Sequence, residues 1–82
     1  MTAKTSPRPA LPLTVLKKGD RARVAELQGG RTFGRRLADM GILPGTPLTV
    51  VVGGGPVILE LRGQRVVIGR GMAHRVMVQP EP

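Results

Sequence analysis

Three short runs of β-branched and aliphatic residues, Pro47–Val52, Pro56–Arg62 and Gln64–Gly69, follow one another with only glycine turns between them, Gly53–Gly55 and then Gly63. In the first, Leu48, Val50 and Val52 alternate with Thr49 and Val51; in the second, Val57, Leu59 and Leu61 alternate with Ile58 and Glu60. A two-residue period places one face of each strand in a core. The same period earlier in the chain, over Asp20–Leu27, sets Ala22 and Val24 against Arg21, Arg23 and Ala25. Arg75–Gln79 reads as a closing strand, and Gly71–Arg75 before it has room for one helical turn. Strands this short and few enclose a core only if the sheet bends on itself, so the pattern predicts a small, partly open barrel of about five strands.

One segment breaks the two-residue period. Phe33, Leu37 and Met40 recur at spacings of four and three, which lines them up on one side of a helix predicted over Thr32–Met40. The Thr32 hydroxyl is the expected cap at its start. Its end carries the stronger signal. Gly41 stands where a left-handed residue closes a helix, Ile42 stands where the chain packs back on Leu37, and Pro44 prevents continuation. Gly34 inside the helix costs about 1 kcal/mol relative to alanine, so packing of the apolar stripe must hold the helix.

The folded unit is expected over Leu13–Gln79. The first twelve residues hold Pro7, Pro9 and Pro12 with few apolar side chains, which predicts a flexible tail, and residues 80–82 are expected as a second short tail. The chain has no cysteine, no apolar run of the roughly 20 residues that span a bilayer, and no signal-like stretch at its start. A cytoplasmic location is the expectation.

Chemistry is hard to assemble from the remaining side chains. His74 is the only histidine, Ser6 the only serine, and Asp20, Glu26, Asp39, Glu60 and Glu81 are scattered. No nucleophile, base and orienting group fall together, and one histidine without nearby acids offers a metal at most one ligand, so neither an enzyme nor a cofactor nor a metal centre is expected. The glycine stretches Gly53–Gly55 and Gly69–Gly71 lack the residues that cradle phosphates. Thirteen Lys and Arg against five Asp and Glu give a net charge of +8. Such a field suits an acidic protein or, as the alternative, RNA or DNA held through phosphates. With no Trp or Tyr and Phe33 alone among aromatics, platforms for stacking bases are absent.

From Arg35 to Thr46 the sequence resembles the ferrous iron transport protein A (FeoA) family, whose helix ends in Arg-Leu-x-x-Met/Leu-Gly-Leu/Ile-x-Pro-Gly before a strand. The resemblance continues through Gly55-Pro56-Val57, Gly63, Val66–Ile68, and Ala73 followed by Val76 and Val78. It implies an SH3-like barrel that serves a ferrous iron permease, an FeoB-type membrane protein with a cytosolic GTPase domain, with the membrane reached only through that partner. The same fold is similar to the C-terminal domain of iron- and manganese-dependent repressors.

Under this reading Arg35, Arg36, Met40, Ile42 and Leu43, on the helix and its exit, are the expected contact residues. Leu37, Gly41, Pro44 and Gly45 are expected to shape the structure. No small-molecule substrate is implied, and self-association stays open.

Overall fold

The computed structural model describes residues 9–81. The expected tail therefore lies outside the described residues over positions 1–8, as does Pro82. The described residues form six strands, two helices and a 3₁₀ turn: β1 Leu11–Pro12, the turn Leu13–Val15, β2 Arg21–Leu27, α1 Gly30–Asp39, β3 Pro47–Val52, β4 Val57–Leu61, β5 Gln64–Ile68, α2 Arg70–Ala73 and β6 Val76–Pro80. They form one antiparallel sheet in the order β1-β6-β2-β3-β4-β5. The sheet coils around a core that is almost wholly aliphatic. Its largest fully buried side chains are Leu13, Leu37, Ile42, Leu59, Ile68, Val50, Val76 and Val78.

The strand count is one higher than the two-residue period suggests. Leu11 and Pro12 pair with Val78 and Met77, so the last residues of the expected tail are a strand. A two-residue strand is too short to show a period, and proline is tolerated there because the strand is at an edge. At the other end, Pro80 belongs to β6, opposite Ala22, and Glu81 donates its N–H to the Arg21 carbonyl. Both changes extend the folded unit beyond Leu13–Gln79.

Two bulges bend the sheet and reset the alternation. Ala25 is the extra residue between the pairs Val24–Val78 and Glu26–Met77. Val51 is the extra residue between Val50–Leu59 and Val52–Ile58. Beyond a bulge the side chains change face. Val52, expected in the core beside Leu48 and Val50, is therefore 43% exposed on the outside.

Helix α1 starts two residues earlier than the apolar stripe indicates. Gly29 is its N-cap and no side chain caps it, so Thr32 lies inside the first turn and its hydroxyl makes no cap bond. The end follows the sequence closely. Ile42 N–H donates to Leu37 O at 2.9 Å, Gly41 N–H donates to Ala38 O at 2.9 Å, and Gly41 has φ +87°. This is a Schellman ending, and its apolar clasp is Leu37 against Ile42, both wholly buried.

Candidate partner-binding site

The segment leaving α1 builds a rigid corner. Thr46 N–H donates to Leu43 O at 3.0 Å, across Pro44 and a Gly45 with φ +92°, while Leu43 N–H donates to the buried Thr46 Oγ1 at 3.3 Å. Gly45 then donates its N–H to Val24 O at 2.7 Å and accepts Arg23 Nη1 at 2.8 Å on its carbonyl. Leu37, Gly41, Pro44 and Gly45 thus set the direction of the chain between α1 and β3.

The expected contact residues divide. Arg35 and Arg36 are exposed on α1, and Leu43 is 46% exposed at the corner. Met40 is half-buried against the core. Ile42, expected as a contact residue, is instead wholly buried, because the Schellman clasp uses its side chain inside the molecule, and it offers no surface to a partner.

The structure also gathers residues that are far apart in sequence. Between the start of α1 and α2 lies an open groove of about 480 Å³ lined by Gly29, Thr32, Phe33, Arg36, Gly71, Met72 and Arg75. Phe33 and Met72, both partly buried against the core, provide its apolar surface. The Arg75 guanidinium carbon stands 5.8 Å from the centre of the Phe33 ring, within cation–π range. The ring in turn lies over Gly29, where an added Cβ would come within 2.7 Å of Phe33 Cδ2.

Positive charge at this groove is not neutralised by any carboxylate among the described residues. The one ion pair among the described residues is Arg23 of β2 with Glu81, just past β6, at 3.3 Å. Arg31 and Arg35 on α1, with Arg36 and Arg75 in the groove wall, have no carboxylate partner among the described residues. An apolar floor with guanidinium walls suits a surface that offers both an aliphatic side chain and a carboxylate.

The Phe33, Leu37, Met40 period pointed to one wall of the groove but placed Phe33 in the core stripe. Met72 and Arg75 carried no signal of their own, since only folding brings α2 against α1. The usable hint was the single aromatic residue of the chain sitting four residues after a glycine. His74 is exposed at the end of α2, and among the described residues no three His, Cys, Asp or Glu side chains come together. No helix among the described residues is long and apolar enough to cross a membrane.

A coiled antiparallel sheet, a short helix closing over it and a basic groove beside that helix define the molecule as an SH3-like β-barrel module. Residues 11–80 match the model of the FeoA domain, and the chain belongs to that family. It is 38% identical over 69 residues to the putative Fe(2+) transport protein A of Methanocaldococcus jannaschii, covering 83% of this chain and 84% of the relative. A crystal structure of an iron uptake regulatory protein (FeoA) superposes with a TM-score of 0.83 at 35% identity, over 90% of this chain and all of the other. The solution structure of FeoA from Chlorobium tepidum gives 0.80 at 29% identity, over 88% and 71%. A manganese-dependent transcriptional repressor shares the fold, with a TM-score of 0.82 at 23% identity, and this chain matches 43% of its length.

Proposed function

We propose that this chain is an accessory protein of ferrous iron uptake that acts without catalysis, by docking on the cytosolic GTPase region of a membrane ferrous iron permease. Membership of the FeoA family, with a relative described as an Fe(2+) transport protein, supports the iron assignment. The observation that favours docking is the groove, which Phe33 and Met72 line together with Arg36 and Arg75, two arginines with no carboxylate partner among the described residues. Arg35, Met40 and Leu43 extend this surface along α1 and its exit. Iron on this reading is the permease's cargo, and the site of action is cytoplasmic.

The test is calorimetric titration of the full chain into the purified GTPase fragment of the permease from the same source. Charge reversal of Arg35 and Arg36 together is expected to weaken binding roughly tenfold, because like charges are then brought together across the interface. The far-ultraviolet circular dichroism should not change, since both side chains are exposed. Unchanged affinity removes α1 from the interface. Binding to nucleic acid at low salt, with none to the fragment, transfers the function to phosphate recognition.

A further inference from the structure

Among the described residues the sheet ends at β5, which pairs with β4 and with nothing on its other side. The two strands are joined by Arg62 and Gly63, both at positive φ, in a two-residue hairpin turn. In such a hairpin the pair flanking the turn exchanges ladder bonds, and every second pair does likewise. Leu61–Gln64, Leu59–Val66 and Val57–Ile68 are therefore the bonded pairs. Arg65 and Val67 turn their N–H and C=O groups away from β4, and these groups meet no partner among the described residues. The strand has no proline and no bulge to blunt it.

The side chains of the same two residues end two rows that run across the outer face. Val52, Ile58 and Val67 stand side by side on β3, β4 and β5, and Thr49, Glu60 and Arg65 form the next row. Val52 is 43% and Val67 61% exposed, so the apolar row is open to solvent and stops at the unpaired edge.

We propose that β5 accepts an extended segment of a partner protein as an added antiparallel strand, one carrying an aliphatic side chain and, two residues later, a carboxylate. The aliphatic group continues the Val52, Ile58, Val67 row, the carboxylate faces Arg65, and the segment's backbone takes up the outward groups of Arg65 and Val67. The chain's own first eight residues do not fit, having a proline, two cations and no acid. A second copy fits poorly as well: Gln64–Ile68 contains no carboxylate, and each molecule carries +8.

The probe is the capped peptide Ser-Thr-Ile-Thr-Glu-Thr-Ser, titrated into the ¹⁵N-labelled full chain. Saturable shifts of the Arg65 and Val67 amides are expected, and they should vanish when the peptide's Ile and Glu nitrogens are methylated. Replacing the peptide's Glu by Lys should weaken binding about two- to fivefold, the range of a cross-strand charge pair. Arg65→Glu should reverse that preference and Arg65→Gln should erase it. Shifts absent from β5, or indifferent to N-methylation, overturn the proposal. So does a dimer in sedimentation whose formation shifts Arg65 and Val67 without peptide, since that assigns the edge to a second copy.

Discussion

At the scale of single residues, two glycines, one at the N-cap of α1 and one inside it, make opposite demands. Gly29 lies under the Phe33 ring, and a Cβ there would stand 2.7 Å from Cδ2, 2.8 Å from Cγ and 3.0 Å from Cβ of that side chain. Those inner atoms cannot swing away without moving the ring, so Gly29→Ala is expected to destabilise the fold by about 1–2 kcal/mol, as overpacking does, and to displace Phe33 from the groove. Gly34 is inside the helix with nothing within 4 Å of an added Cβ. Gly34→Ala should stabilise the fold by about 0.5–1 kcal/mol, the helix propensity difference. Urea denaturation of the two variants reads both signs, and two changes of the same sign contradict the geometry. Arg62 is the one residue other than glycine at positive φ among the described residues, at +50°. Asparagine accepts that conformation more readily, so Arg62→Asn should raise the melting temperature by roughly 2–8 °C, measured calorimetrically.

At the scale of elements, α1 shows how a helix with poor intrinsic propensity is secured. It begins at Gly30, contains Gly34, lacks a side-chain cap and has no acid in its first turn. Its end supplies what its start lacks, through the Gly41 turn and the burial of Leu37 against Ile42. Leu37→Ala is expected to cost about 2–5 kcal/mol, the range for deleting a fully buried leucine. A domain of this size has a total stability of only about 4–12 kcal/mol, so the thermal transition of this variant should fall steeply or disappear. If it moves by less than a few degrees, the clasp does not hold the helix. Among the strands, the bulges at Ala25 and Val51 serve the same end by another route, bending β2 and β3 so that a small sheet can close on its core.

At the scale of the whole molecule, the +8 charge and the groove arginines, which have no carboxylate partner among the described residues, would give the proposed docking an electrostatic component. Affinity for the GTPase fragment proposed as partner should therefore fall as salt rises from 50 to 500 mM, over which the screening length shrinks from about 14 to 4 Å. The apolar floor of Phe33 and Met72 should keep residual binding at high salt. Affinity independent of salt would leave the arginines outside the interface.

Much of this architecture was legible in the residues. The alternation in Ala22–Val24, Leu48–Val50 and Val57–Leu61, the glycine turns, and the stripe ending at Gly41 are local patterns, and each follows from the geometry of a strand or helix over a few residues. What the sequence by itself determined is therefore the set of elements, the position of Leu37 and Ile42 at the helix end, and the family resemblance carried by that segment. The tertiary structure alone decided which residues meet: the strand made by Leu11 and Pro12, the outward turn of Val52, the burial that removes Ile42 from the surface, and the groove that joins Phe33 to Met72 and Arg75. Bulges and edge pairings arise from contacts between distant segments, and no period in one stretch of chain records what another stretch will pack against it.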